Sequence, residues 1–508
     1  MKFKWYAVCL ALSMSIPVWS QDINPMTQAL IEGYNEVLSE NPKDYYTLLD
    51  RATQYCNLGM YDRALSDVDM ALEYTPESDI DYRIAEYSLK ADILSSQKEY
   101  SKAISAVISA LKLDQQSLPN IYKLGTLYIL NNNPEEALKA FRQLQRLSSR
   151  SQEAFYGMAK AYVMMGQNAD AEDMLKEMEN LGKGQYLTYC RLGDLYSDMG
   201  RTPAATSNYV IAYVNSNGNN RPLESLKTLA RKDKDGVMRG IDALISAQSE
   251  NISLLYLKII IASDLQDHDM IEETCKNLID ITEVDSASIY DLLALSQKAL
   301  NKNEDALMNI KFAENFDKGN AVILAHKADI LLATDPVQSL AAAEAALTID
   351  PQLEIAMTTG AKAAILTGDA NKAAIFLNNV IISNPGNIEA LLLRGYMNEK
   401  LLKDEKAAKA DYTRAGNVIA SNASEMALAA LGKAKAGKML DAEGMIGDAV
   451  SMAENDGNAL YNIAVYYSQT GNLDKAREFI QKAKASGYNN LYNLNSNKEP
   501  LLNISPIF

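Results

Sequence analysis

From Tyr45 onward, apolar side chains recur at intervals of three and four residues, the spacing that gathers them on one face of an α-helix. With Tyr45 counted as position 1, Leu48, Ala52, Tyr55, Gly59, Tyr61, Ala64, Val68, Ala71 and Pro76 fall at positions 4, 8, 11, 15, 17, 20, 24, 27 and 32. The first three predict one helix, A, and the run from 17 to 27 predicts a second, B. Gly59 falls between them, where a turn needs positive φ. Pro76 closes the unit, because proline neither donates to a helix nor fits inside one.

The same register returns along the chain. Position 8 is filled by Ala52, Ala91, Gly125, Ala159, Gly193, Ile259, Ala294, Ala328, Ala361, Gly395, Ala430 and Ala464. Position 27 is filled by Ala71, Ala110, Leu144, Met178, Ala212, Leu278, Ala313, Ala346, Val380, Ala415, Ala449 and Ala483. Most successive gaps are 33 to 35 residues, but the first is 39, predicting a longer turn around Glu77 to Asp81. One gap of 66 hides a degenerate repeat near residues 219–250, with an irregular stretch expected at 214–236. Small residues at 8, 20 and 27 let two backbones approach, and large residues at 4, 11, 17 and 24 fill the space between helices. Tyr128, Tyr162, Tyr196 and Tyr467 all occupy position 11.

This pattern resembles the tetratricopeptide repeat, a helix-turn-helix unit that stacks on copies of itself. The resemblance implies an all-α fold, a right-handed superhelical solenoid of about 12–13 repeats. It would span residues 45–487, preceded by a half-repeat cap at 21–44 in which Leu30, Tyr34 and Val37 take helix-B spacing. Residues 488–508 carry apolar side chains among prolines and asparagines and read as a C-terminal capping tail. No sustained seven-residue pattern points to a coiled coil.

The first 20 residues change the picture of location. Lys2 and Lys4 precede a mostly apolar run from Trp5 to Val18, and Val18-Trp19-Ser20 offers small residues at −3 and −1 before Gln21. That is the layout of a cleaved signal peptide, and the run is short of the roughly 20 residues a membrane helix needs. The protein is expected in the periplasm, secreted, or at the outer membrane, without membrane insertion after cleavage. The net charge of −16 disfavours nucleic acid, whose phosphates an acidic surface repels. Cys56, Cys190 and Cys275 lie over 80 residues apart and fit buried free thiols better than a disulfide framework or a metal site.

Catalytic patterns are missing. His268 and His326 are the only histidines, and no GxSxG, HExxH, phosphate-binding or dinucleotide-binding loop is present. The reading is a non-enzymatic protein or peptide binder with no cofactor and no metal.

The resemblance places ligands on helix A, at positions 2, 5, 6, 9, 12 and 13, along the concave groove. On this chain the best patch is Tyr122, Lys123, Tyr156, Lys160, Arg191 and Asp194, because tyrosine and arginine bury area and still make hydrogen bonds. Tyr46, Asp50, His326 and Asp329 fall at groove positions too. Residues 320–450 are richer in alanine and read as spacer. The leading expectation is an adaptor or scaffold of the cell envelope. The alternatives are a structural component of an envelope assembly and a regulatory subunit of a separate enzyme.

Overall fold

The computed structural model describes residues 25–247, 252–282, 286–486 and 488; the leader and the rest of the C-terminal tail lie outside them. Among the described residues the chain forms 27 α-helices and no strand. It divides into two units, 1–240 and 241–508.

The first unit opens with α1 (Pro25–Glu40). Five helical hairpins follow: α2 (Tyr45–Asn57) with α3 (Tyr61–Tyr74), α4 (Ile80–Ser96) with α5 (Tyr100–Leu113), α6 (Leu118–Leu130) with α7 (Pro134–Leu147), α8 (Gln152–Met164) with α9 (Asn168–Leu181), and α10 (Tyr186–Asp198) with α11 (Thr202–Val214). A sixth joins α12 (Arg221–Lys232) to α13 (Lys234–Ala247), inside which the division falls. The second unit continues with α14 (Ile252–Asp264) and α15 (His268–Thr282), α16 (Ala287–Ala299) and α17 (Asn303–Phe316), α18 (Ala321–Leu331) and α19 (Pro336–Ile349), and α20 (Glu354–Thr367) and α21 (Ala370–Ser383). Then come α22 (Ile388–Met397), prolonged by a π-turn at Asn398–Leu402, and α23 (Glu405–Gly416), α24 (Ala423–Lys435) and α25 (Met439–Ala453), and α26 (Gly457–Gln469) and α27 (Leu473–Ala485). That makes thirteen hairpins plus the single helix α1. An all-α solenoid of this repeat is what the 34-residue register predicts.

The hairpin turn explains the residue at position 15. Gly59 has φ 71° and Gly471 φ 86°, conformations a side chain resists. Where glycine is lacking the backbone keeps the same turn, so Lys98, Asn132, Gln266 and Asn301 stand at φ between 54° and 61°. The α18–α19 connection departs from this. There Asp335 caps α19, accepting from Gln338 N at 3.0 Å, and Pro336 starts the helix.

Three expectations change. The 39-residue gap lengthens a helix rather than a turn: α4 has 17 residues against 13 in α2, so the additional residues add a helical turn at its start. The stretch 214–236 is mostly helical, because α12 carries a strongly one-sided apolar stripe with Leu226, Leu229 and Ala230 buried. In α1, Leu30 and Val37 face solvent, while Leu38 is buried and Ile31 packs on the first hairpin. The apolar face is displaced by one residue from the spacing read in the sequence.

In both units the core lies between helices. Ala52, Ala64 and Ala71 are fully buried in the first hairpin, and Ala361, Ala373 and Ala430 in the second unit. Cys190 and Cys275 are buried and Cys56 is half-buried; all three thiols are free and sit on helices. Burial pushes the Cys275 thiol up to about 12.

Candidate functional site

The six candidate residues lie on three successive A helices of the first unit: Tyr122 and Lys123 on α6, Tyr156 and Lys160 on α8, and Arg191 and Asp194 on α10. Each comes one repeat after an equivalent position, so the stacking of hairpins lines them up. All six are partly buried.

The structure joins Tyr156 to Arg191. The guanidinium carbon stands over the Tyr156 ring, 5.4 Å from its centroid, and Nη1 lies 3.5 Å from Glu153 Oε1. Burial pushes the Tyr156 phenol up to about 12; Asp194 adds to the rise and Arg191 opposes it. Tyr122 continues the aromatic surface, its ring 6.1 Å from that of the buried Phe141.

Lys123 and Asp194 are also engaged within the chain. The Lys123 ammonium donates to Ser88 Oγ at 2.6 Å, to Ser88 O at 3.0 Å and to Asp92 Oδ2 at 2.7 Å, which occupies its three protons. Asp194 accepts from Tyr209 OH at 2.7 Å and from Arg221 Nη2 at 3.4 Å. Both therefore tie neighbouring helices together. Lys160 acts electrostatically on Asp198, one turn beyond Asp194.

Sequence reasoning passed over Glu153, Tyr209 and Arg221. Glu153 sits at position 2 of its helix A, a groove position, so its signal was present. Tyr209 lies on helix B, and its link to Asp194 follows only from the crossing of α10 with α11. Arg221 opens the degenerate hairpin, where register assigns no position.

In the second unit, His326 Nδ1 lies 2.9 Å from both oxygens of Asp291, and Lys298 bonds Asp329. A cavity of ≈ 270 Å³ next to them is lined by Ser286, Asp291, Asp317 and Asn320 among others. His268 is half-buried at the start of α15, its Nδ1 without a hydrogen-bond partner, and burial lowers its pKa. Among the described residues there is no cluster of metal-ligating side chains and no helix long and apolar enough to cross a membrane.

Thirteen helical hairpins, eleven of them turning through a residue at positive φ and packed on small side chains, define a helix-turn-helix repeat solenoid. The chain is a tetratricopeptide-repeat protein. The family model for the tetratricopeptide repeat matches residues 457–485, and one described as anaphase-promoting complex, cyclosome, subunit 3 matches residues 96–178. No curated protein matches the chain. Among solved structures, a tetratricopeptide repeat protein from Parabacteroides merdae is 17% identical, covering 56% of this chain and 98% of that one at a TM-score of 0.30. The C-terminal part of a repeat-containing protein from Cytophaga hutchinsonii is 16% identical, covering 46% and 94% at 0.35. Yeast Tom70 is 13% identical, covering 87% and 92% at 0.36.

Proposed function

We propose that this protein is a non-enzymatic adaptor or scaffold that holds a protein or peptide against the A helices of its first unit. The observation carrying the reading is the stacked pair Tyr156 and Arg191, continued by Tyr122 one repeat earlier. A guanidinium fixed over a ring keeps donors for a peptide carbonyl or carboxylate and has already lost the freedom that binding would otherwise cost. Lys123 and Asp194 hold the neighbouring helices in register and act as supports.

The leader at residues 1–20 supports export to the periplasm, secretion, or attachment at the outer membrane. Export predicts a mature chain beginning at Gln21, read by intact-mass measurement of the protein from fractionated cells. The acid excess argues against nucleic acid as the partner.

The test is crosslinking affinity purification of the tagged mature chain, wild type against Tyr156→Ala/Arg191→Ala. A partner held by wild type and lost by the double variant supports the reading. A partner retained by both moves the contact off this face and favours a structural role in an envelope assembly.

A further inference from the structure

Between the B helices α7 and α9 a cleft of ≈ 630 Å³ opens, within the range of peptide and ligand pockets. It is lined by Lys139, Arg142 and Arg146 of α7, by Met158 and Tyr162 of α8 and by Met174 of α9.

The cleft carries basic side chains in a chain whose net charge is −16. Arg51, Arg191, Arg201, Arg221 and Arg394 each lie within ion-pair distance of a carboxylate. Arg142 and Arg146 touch only neutral groups: Arg142 Nη2 donates to Tyr162 OH at 2.9 Å, and Arg146 Nε donates to the Arg142 carbonyl at 3.4 Å. Both side chains are exposed, and neither forms an ion pair among the described residues. Lys139, also lining the cleft, is bonded to Glu136 at 2.5 Å.

Arg142 and Arg146 are four residues apart on one helix, so their Cβ atoms lie about 5–6 Å apart. Like charges at that spacing repel and stay together only at a cost. Alternate side chains of an extended strand repeat at about 6.7 Å on one side. Two carboxylates separated by one residue therefore match the two guanidinium forks, each able to form a bidentate pair. The methionines and the Tyr162 ring offer an apolar bed for the methylene stems.

We propose that this cleft binds an extended acidic segment of a partner protein, with carboxylates at alternate positions. Its lining shares no residue with the Tyr156–Arg191 pair.

The test uses the full mature chain and fluorescence anisotropy at low salt. The probe is a labelled peptide of alternating Glu and Ser, with an alternating Gln and Ser peptide as its neutral match. The Glu–Ser peptide is expected to bind and the Gln–Ser peptide not to bind. Arg142→Gln/Arg146→Gln should weaken binding at least about tenfold, whereas Lys102→Gln/Lys112→Gln on α5, an equal loss of charge, should change it less than about twofold. Tyr156→Ala/Arg191→Ala should leave it unchanged, which separates this site from the proposed adaptor face. Far-UV circular dichroism checks the helix content of each variant. Arg142→Lys/Arg146→Lys, which keeps charge and loses the planar fork, should weaken binding several-fold. Failure of the Glu–Ser peptide to bind, equal weakening by the two glutamine double variants, or displacement by inorganic phosphate as effective as by unlabelled peptide would each overturn the proposal.

Discussion

The ring of Phe141 on α7 occupies the space that a side chain on Gly125 of α6 would need. A Cβ built on Gly125 would meet the ring at 2.7 Å, and one built on Gly157 of α8 would meet it at 2.4 Å. The pairing recurs. Gly193 faces the ring of Tyr209 at 2.5 Å, and Gly395 faces that of Tyr412 at 2.6 Å. In most repeats where position 8 is alanine, the residue sixteen further on is aliphatic, as with Ala52 and Val68, Ala91 and Val107, or Ala159 and Leu175; Ala328, followed there by Glu344, is an exception. Helix A thus gives up its methyl where helix B supplies a ring, and the volume between the helices is conserved.

Gly157→Ala should therefore destabilise the α6–α8 region by about 1–3 kcal/mol, because the buried Phe141 has no room to yield. Gly444→Ala, on α25 with nothing within 4 Å of a new Cβ, should instead stabilise by about 0.5–1 kcal/mol through helix propensity. Thermal melts of the two variants against wild type check the opposite signs.

Arg394 on α22 grips Asp411 on α23 with two hydrogen bonds, Nε to Oδ2 at 2.9 Å and Nη2 to Oδ1 at 2.5 Å, and its Nη1 donates to Asn378 on α21 at 2.7 Å. Arg51, Asp67 and Asn35 repeat this arrangement in the first unit, with all three distances at 2.7 Å. One arginine thus ties its own hairpin to the preceding B helix. Asp411→Ala should cost about 2–4 kcal/mol, since it leaves a largely buried guanidinium without its charge partner. Faster amide hydrogen exchange confined to α21–α23 would be the readout, because repeat arrays open locally.

Glu272 on α15 is buried. Burial pushes its carboxyl up, but hydrogen bonds from Lys276 at 2.7 Å, Lys302 at 2.6 Å and Gln297 at 3.2 Å overcome this and hold it at about 2. A depressed carboxylate stabilises the fold above its unfolded pKa, near 4.3, and that stabilisation is lost as pH falls toward 2. Acid titration followed by circular dichroism should show the wild type losing stability across this window. Glu272→Gln should flatten that dependence while lowering stability at neutral pH by about 1–2 kcal/mol.

Tyr488 stacks on Tyr461 with ring centroids 4.5 Å apart, and its backbone N–H donates to Ala483 O at 2.9 Å. It packs against the N-terminus of α26, where a Cβ on Gly457 would meet its own Cβ at 2.9 Å. Tyr488→Ala should remove about 1–3 kcal/mol from the last hairpin. Exchange of α26 and α27 amides should quicken while that of α20 and α21 stays unchanged.

Periodicity alone located the hairpins, because each repeat buries the same face and position 15 must turn. It also placed Tyr122, Tyr156 and Arg191 on successive A helices, since stacking copies of one unit aligns equal positions. Register could not say which groups would be consumed. Lys123 and Asp194 carry the same kind of charge as free ligand contacts, and only the approach of Ser88, Asp92, Tyr209 and Arg221 across helix crossings commits them to structure. The turn of helix added at the start of α4 and the π-turn after α22 were likewise invisible, because an inserted residue can lengthen a loop or a helix with the same spacing. The cleft between α7 and α9 depends on three helices brought together by packing. The sequence by itself determined the repeating element and its inward face, which are local and periodic. Which polar side chains pair, and which remain available, was decided by tertiary contacts between residues far apart in the chain.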